Sequence, residues 1–338
     1  MSRLRLLVTG STGFVGRYLI EQVVRNKQVD TTLLVRHGAT LKWPLENPNG
    51  SAVKLAPIDL ANPYTVRLPF REYDALVNLV GPRSSLESAQ WEANIEYIRN
   101  LLIFLRRVSV RRIVHFSSVS VYGIPKGSAT VTESFCPAPC DWYGATKVLG
   151  ERMWKAFHEE TGIPVAILRP SWVVGYGSHL LDGYLFRAFD SRVSLVMRLG
   201  TPLNIVYVRD VADAAIAAVL HHTKGLAVYN INAMQRWTFD QFLEELDYAT
   251  ARLKIPVVIP KALVSIMASR FGSLKFILSE AFFSAQKAKD ELGFSPQYDL
   301  TAIVKEIFAL RGAAKSHRIY GQETQPRKAN SDSTGHSE

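Results

Sequence analysis

The sequence has few cysteines, no long apolar run and fewer acidic than basic side chains. Cys136 and Cys140 are the two cysteines among 338 residues, so no disulfide framework is expected. Their single C-x-x-x-C spacing also lacks the second ligand pair of a zinc site. We therefore expect two loop residues and no bound metal. No stretch of 18 uncharged apolar residues occurs, and the N-terminus leads directly into a strand-like run, which predicts a cytoplasmic protein.

The shortage of acidic residues leaves a large positive charge. Forty Lys and Arg against 30 Asp and Glu give a net charge of +10, which suits phosphates, nucleic acid or an acidic membrane surface. The densest basic cluster, Arg106, Arg107, Arg111 and Arg112, flanks the tripeptide VSV. It lacks interleaved aromatic residues and zinc-finger spacing, so we expect a solvated helix end and no nucleic-acid binding.

Short apolar runs alternate with helix-like segments through the first half of the chain. The runs are about 20 to 40 residues apart, a separation typical of β-α-β crossovers, and include LRLLVTG, TTLLVR, DALVNLVG, RRIVHFSS and PVAILRP. This pattern predicts an α/β fold, namely a Rossmann-type doubly wound parallel sheet with a smaller, mainly helical C-terminal substrate domain.

The domain boundaries follow from changes in this rhythm. Residues 1–170 form the predicted nucleotide-binding domain, to which 204–232 return. The predicted substrate-binding domain comprises 171–203 and 233–312. The polar residues 313–338 are expected to form a flexible tail.

A glycine-rich loop follows the first predicted strand and precedes a helical segment. In such a loop, glycines allow the backbone to approach a pyrophosphate, whose charge is met by amides and the positive end of the helix. The order of strand, loop and helix therefore predicts a dinucleotide site. Its expected contacts are Gly10, Thr12, Gly13, Phe14, Val15 and Gly16.

Tyr143 and Lys147 lie four residues apart in DWYGATKVLG. On a helix they share one face, where the lysine ammonium would lower the phenol's pKa and make it a proton acceptor. The spacing alone fits an exposed helix surface equally well, so the interpretation depends on the rest of the chain.

Taken in order, these motifs resemble extended short-chain dehydrogenase/reductases of the NAD-dependent epimerase/dehydratase family, from about residue 4 to residue 312. Besides the glycine loop, the matching landmarks are Asp59-Leu60, Asn94, Phe116 to Gly123, Tyr143 to Lys147, Leu168-Arg169-Pro170, Val206 to Ala212 and Glu291 to Pro296.

The resemblance implies roles for three residues. Tyr143 would be the general acid/base, and Lys147 would lower its pKa while bonding the nicotinamide ribose. Ser118 would hold the substrate oxygen by a hydrogen bond. Asn94 has two interpretations that stay open at this point, a proton relay and a buried amide that caps local backbone.

The choice of nicotinamide depends on the end of the second strand. Arg36 stands where NAD-dependent relatives usually have an acidic residue, which favours NADP over NAD, with Arg17 as a second ligand of the 2′-phosphate. The resemblance places Asp59 and Leu60 against the adenine. It assigns further cofactor contacts to Leu79, Val80, Gly81, Ser117 and Pro170.

Predicted substrate contacts are Pro82, Arg83, Ser84, Tyr122 and Trp172, beside Ser118 and Tyr143. A nucleotide sugar is the preferred substrate, bound by a homodimeric enzyme that acts as an epimerase or a net oxidoreductase. One departure counts against it. Relatives that bind nucleotide sugars usually carry G-x-x-x-R with an arginine on the diphosphate, where this chain has Asn204, leaving Arg198 and Arg209 as replacements.

Two alternatives remain. The apolar segment 255–283 favours a reductase or dehydrogenase of a hydrophobic alcohol or ketone, resembling 3β-hydroxysteroid dehydrogenase and dihydroflavonol reductase. That segment is expected to pack as a core helix pair, to line a pocket or to lie on a membrane surface. The sequence LVNLVG at 76–81 departs from the more usual H-L-A-A and resembles that of non-catalytic, NADPH-binding accessory subunits. Intact Ser118, Tyr143 and Lys147 disfavour this alternative.

Overall fold

The apolar runs of the first half become the strands of one parallel sheet. In a computed structural model, the residues described are 3–25, 28–36, 38, 53–58, 66–82, 84–178, 193–197, 199–221, 223–250, 255–260, 262–264, 266, 276 and 278–323. The seven strands of the sheet are β1 (Leu4–Thr9), β2 (Val29–Arg36), β3 (Val53–Ile58), β4 (Ala75–Asn78), β5 (Ile113–Phe116), β6 (Val165–Pro170) and β7 (Leu226–Ile231).

The strand order is 3-2-1-4-5-6-7, with every neighbouring pair parallel. The order reverses between β1 and β4, which creates the crevice at the carboxyl ends of the strands where doubly wound sheets bind ligands. The predicted fold class is confirmed.

Helices cover both faces of the sheet, which explains why the strands read as continuous apolar runs. The helices are α1 (Phe14–Val24), α2 (Glu87–Trp91), α3 (Tyr97–Leu105), α4 (Trp142–Thr161), α5 (Val208–Leu220), α6 (Phe239–Thr250), α7 (Gln286–Leu292) and α8 (Leu300–Glu323). Alternate side chains of β1 enter different cores: Val8 packs on the side of α1 and α5, and Leu7 on the side of α3 and α4. A π-helical turn, Glu92–Glu96, joins α2 to α3.

Five further strand pairs lie outside the central sheet. Four are parallel and one, Pro202–Leu203 with Trp237–Thr238, is antiparallel. The parallel pairs are Glu72–Tyr73 with Ser109–Val110, Thr130–Val131 with Phe282–Phe283, Trp172–Val174 with Ile205–Tyr207, and Val193–Met197 with Ile255–Ile259.

Two boundary predictions need correction. The last helix continues to Glu323, so residues 313–323 of the predicted tail are helical. The start of the apolar segment 255–283 is a strand, Ile255–Ile259, where a core helix pair was expected, and Ile255 and Val258 are 68% and 60% exposed. No described helix is long and apolar enough to cross a membrane.

Candidate active site

The glycine loop closes tightly over the end of the sheet. Gly10 has a φ of +74°, and a Cβ there would lie 2.7 Å from the backbone carbon of Leu79. A Cβ on Gly16 would meet the carbonyl oxygen of Gly10. Both positions therefore require glycine, because the loop, the helix and β4 approach one another through their backbones.

The first turn of α1 suits an anion. Gly13 caps the helix in an extended conformation, and the first turn contains no acidic side chain. The free amides and the helix dipole give this end positive character, as a pyrophosphate requires. These observations fit a dinucleotide, with Gly10, Thr12, Gly13, Phe14, Val15 and Gly16 in the positions to hold it.

Polar side chains link the carboxyl ends of three neighbouring strands beneath this loop. Asn78 of β4 accepts a hydrogen bond from the Thr9 hydroxyl at 2.7 Å and from the Val80 amide at 3.2 Å, and its Nδ2 lies 3.1 Å from His115 Nδ1. Burial, with Lys147 nearby, holds the pKa of His115 well below its usual range. The sequence had indicated no role for Asn78, which belongs to the stretch that departs from the usual H-L-A-A.

The side chains of Ser118 and Tyr143 lie close together. The Ser118 side chain lies close enough to the Tyr143 phenol to influence its pKa, and its hydroxyl donates to the Ser120 hydroxyl and accepts from the Ser120 amide, both at 3.1 Å. Burial raises the pKa of Tyr143, the Ser118 side chain opposes that shift and the Asp141 carboxylate adds to it. The folded chain thus places a neutral phenol beside a hydroxyl group.

Lys147 is buried one turn further along α4. Its ammonium donates to the Phe116 carbonyl at 3.1 Å and lies 5.8 Å from the centroid of the Tyr143 ring. Burial lowers its pKa to about 8, against a raising influence of Glu151. The net shift of the Tyr143 pKa is upward because burial dominates, so the sequence prediction of a net lowered pKa is wrong, while a stabilising effect of the Lys147 charge on the phenolate stays a prediction.

Asn94 anchors the catalytic turn. It is buried within the π-helical turn, and its amide donates to the Thr146 hydroxyl at 3.0 Å, which in turn donates to the Tyr143 carbonyl at 2.9 Å. A Cβ on Gly150 would lie 3.1 Å from the Asn94 carbonyl, so the two helices also touch here. Of the two interpretations of Asn94, these contacts match the buried amide.

A buried ion pair follows Lys147 on α4. Glu151 accepts two hydrogen bonds from Arg169 of β6, at 2.8 and 2.6 Å. Arg169 also donates to the Tyr122 hydroxyl at 2.7 Å, and that hydroxyl donates to Asn230 at 2.8 Å. Tyr122 is 4% exposed. The prediction that it contacts substrate is wrong, because its hydroxyl is engaged in this network.

The two arginines proposed for NADP differ in their surroundings. Arg36 is exposed at the end of β2. Arg17 donates to the Tyr176 carbonyl at 2.6 Å and to the Tyr18 hydroxyl at 2.9 Å. Its guanidinium therefore ties α1 to the loop after Trp172–Val174, and the assignment of Arg17 to a 2′-phosphate is withdrawn.

Asn204, which stands where relatives have the diphosphate-binding arginine, and the replacement candidate Arg209 both have other partners. Asn204 donates to the Ala281 carbonyl at 2.9 Å and accepts from the Phe283 amide at 3.0 Å. Arg209 is paired with Glu306 at 2.6 Å and with Glu21 at 3.2 Å. Both side chains are thus structural ties, and Arg198 lies outside the described residues.

The remaining predicted contacts divide into two groups. Asp59, Leu60 and Arg83 lie outside the described residues. Within the described part of the chain, the buried Ser117 hydroxyl has no hydrogen-bond partner, which leaves it able to bond a ligand. The others follow carboxyl ends of strands or lie within them: Leu79, Val80, Gly81, Pro82, Ser84, Pro170 and Trp172.

Comparison with known proteins identifies the family of the chain. The profile of the NAD dependent epimerase/dehydratase family matches residues 6–232. The chain belongs to this family. It is accordingly an NAD(P)-dependent enzyme of the extended short-chain dehydrogenase/reductase type, with an epimerase, dehydrogenase or reductase activity.

Relatives within the family act on different substrates. The chain is 26% identical over 340 residues to 3beta-hydroxysteroid-dehydrogenase/decarboxylase isoform 1 of Arabidopsis thaliana, covering 88% of this chain and 77% of that protein. It is 25% identical over 341 residues to the UDP-glucose 4-epimerase of Corynebacterium glutamicum, covering 92% and 96%.

Solved structures share the fold. UDP-glucuronic acid 4-epimerase from Bacillus cereus in complex with NAD superposes with a TM-score of 0.71 at 20% identity, covering 90% of this chain and 96% of that one. RMD from Pseudomonas aeruginosa complexed with NADPH gives 0.67 at 20% identity, covering 90% and 98%. Both nicotinamide cofactors therefore occur on this fold.

Proposed function

We propose that this protein transfers a hydride reversibly between a nicotinamide cofactor and a carbinol carbon of a small molecule. The proximity of the Ser118 and Tyr143 side chains, one helical turn from Lys147, is the observation that supports this proposal most strongly. Two neighbouring hydroxyl groups can bond to one substrate oxygen, which is what proton transfer at a carbinol requires.

The chain's own residues handle the proton while the nicotinamide supplies or accepts the hydride. In reduction, the neutral phenol of Tyr143 donates its proton to the substrate oxygen as negative charge develops there. Ser118 holds that oxygen by a hydrogen bond. In oxidation, Tyr143 must accept the proton, which the Lys147 ammonium favours by stabilising the phenolate.

We also propose NADP as the preferred cofactor, on the basis of exposed Arg36 alone. The test is calorimetric titration with NADPH and NADH of the wild type and of Arg36→Glu, with Arg25→Glu as an exposed control outside the loop. We expect tighter NADPH binding by the wild type and a loss of about tenfold in Arg36→Glu only. Tighter binding of NADH by the wild type would contradict the preference.

A nucleotide sugar is the first substrate candidate, supported by the epimerases among the relatives and by the positive charge of the chain. A hydrophobic alcohol or ketone is the second. It is supported by the use of Asn204 and Arg209 as structural ties, which leaves neither of them to bind a diphosphate, and by the likeness to a hydroxysteroid dehydrogenase.

One experiment separates the candidates. Molecules that copurify with the protein are identified by mass spectrometry, and cofactor turnover is then measured with a UDP-sugar and with a 3β-hydroxysteroid. Turnover with the steroid alone would eliminate the nucleotide-sugar proposal, and turnover with the sugar alone would eliminate the second.

A homodimer and membrane-surface contact through 255–283 stay predictions, which sedimentation and vesicle binding would test.

A further inference from the structure

Lys147 must be protonated to act as a cation, although it is buried. The other predicted catalytic residues, Ser118 and Tyr143, carry no negative charge that would keep it so. The Lys147 side chain is 4% exposed, and it donates one hydrogen bond to a backbone carbonyl, that of Phe116. Taking an ammonium out of water favours its neutral form. Some neighbouring negative charge must therefore oppose deprotonation if the group is to act as a cation near neutral pH.

Glu151 is the acidic group placed to do this. It lies four residues after Lys147 on α4, and residues at this spacing share one face of a helix. Glu151 is itself 8% exposed, so its field is poorly screened by solvent. Among the described residues, Tyr143 on the same helix and His115 on β5 also lie near Lys147. A phenol is neutral at pH 7, and burial lowers the pKa of His115 well below its usual range, so neither supplies a negative charge.

Arg169 fixes Glu151 in its charged form and in one position. Two parallel hydrogen bonds from a guanidinium hold a carboxylate more rigidly than a single contact does. The Tyr122 hydroxyl and the Asn230 side chain continue the network. The backbone amide of Asn230 donates to the Glu133 carboxylate at 2.7 Å. The Glu151 carboxylate is thus held by Arg169 of β6, and Arg169 is itself tied to Tyr122.

We propose that the buried Glu151–Arg169 ion pair is a positioning element that keeps Lys147 protonated for its action on Tyr143. The proposal rests on the proposed function for its purpose. Its physical content, a Lys147 ammonium stabilised by Glu151, can be measured in the protein without any substrate.

The test is ¹³C NMR of lysine-labelled protein, with the Lys147 Cε signal assigned by its loss in Lys147→Arg. In the wild type we expect Lys147 to titrate near pH 8. In Glu151→Gln the midpoint should fall by about one unit or more, because removing a nearby opposite charge has an effect of this size. The affinity for NADPH at pH 8 should fall with it.

Glu159→Gln is the matched control. It is the same substitution on the same helix, four residues after Lys155, in an ion pair that is 60% and 62% exposed. It should leave the Lys147 midpoint unchanged. A midpoint that also stays unchanged in folded Glu151→Gln would overturn the proposal and leave the ion pair a purely structural contact.

If Glu151→Gln does not fold, Glu151→Asp provides the decisive variant. It keeps the charge and withdraws the carboxylate by one methylene, so the Lys147 midpoint should fall by a smaller step, and no fall would overturn the proposal. Failure of the hydride-transfer proposal is distinguishable, because it would leave these titrations intact while no substrate was turned over.

Discussion

Two successive turns of α4 differ in how the charge of their buried polar groups is stabilised. The turn with Tyr143 and Lys147 holds a phenol and an ammonium whose charged forms burial disfavours. The next turn holds Glu151, whose charge is matched by two hydrogen bonds from Arg169. The first arrangement costs stability and keeps proton transfer available, and the second stabilises a buried carboxylate in its charged form.

The comparison predicts the largest effect for the catalytic turn. Tyr143→Phe should lower turnover about 10³-fold, because the proton donor and acceptor is lost, while the melting temperature stays close to that of the wild type. Tyr248→Phe, at a tyrosine that is 84% exposed, is the control. Steady-state kinetics and thermal melting of the three proteins decide the matter, and normal turnover by Tyr143→Phe would remove Tyr143 from the mechanism.

Breaking the ion pair should mainly affect stability. Arg169→Met leaves the Glu151 carboxylate buried without its partner, so the free energy of unfolding should fall by about 3–5 kcal/mol. Lys155→Met removes one member of the exposed pair with Glu159 and should cost less than about 1 kcal/mol. Urea denaturation measures both, and equal effects would erase the distinction between the two pairs.

Replacing Lys147 should raise the free energy of unfolding, whereas breaking the ion pair should lower it. Lys147→Met removes an ammonium that is disfavoured in the fold, so we expect stabilisation of at most roughly 3 kcal/mol at pH 7, with turnover lost. Unfolded lysine keeps its proton to about pH 10.5, whereas Lys147 in the fold loses it near pH 8. The wild type should therefore gain stability relative to the variant between these pH values.

Denaturation of both proteins at pH 7 and pH 10 provides the measurement for Lys147. A variant less stable than the wild type at pH 7 would show that the bond to the Phe116 carbonyl outweighs the cost of burying the ammonium.

The smallest expected effect concerns Tyr122. Tyr122→Phe leaves Arg169 and Asn230 without a shared hydroxyl group and should cost about 1–2 kcal/mol of stability. KM for the identified substrate should not change, because the hydroxyl is already bonded to Arg169 and Asn230. A raised KM with unchanged stability would restore Tyr122 as a substrate contact.

The sequence predicted those features that depend on order along the chain. The parallel sheet, the glycine loop and the helix carrying Tyr143 and Lys147 follow from apolar runs, glycine spacing and a period of four residues. The direction of the Tyr143 pKa shift could not be predicted in the same way. It depends on how deeply the phenol is buried and on the Phe116 carbonyl that holds Lys147, and neither is visible in a local pattern.

Contacts between residues that are distant in the sequence could not be predicted either. Glu151 is visible as the next position on the face of α4, but its partner Arg169 stands on a strand and was predicted only as a landmark. Tyr122 and Arg17 were assigned to ligands because they lie next to ligand-binding motifs in sequence. In the folded chain their polar atoms bond to other protein groups, so adjacency in sequence was a poor guide to what they contact.

The most direct test of the central claim follows the hydride itself. Wild type and Tyr143→Phe are mixed with NADPH or NADH deuterated at C4, together with a ketone of each candidate class, and the product carbinol is analysed by mass spectrometry. We predict that the wild type places one deuterium on the carbinol carbon of one ketone and that Tyr143→Phe, although it still binds cofactor, transfers almost none. Equal transfer by both proteins would contradict the account.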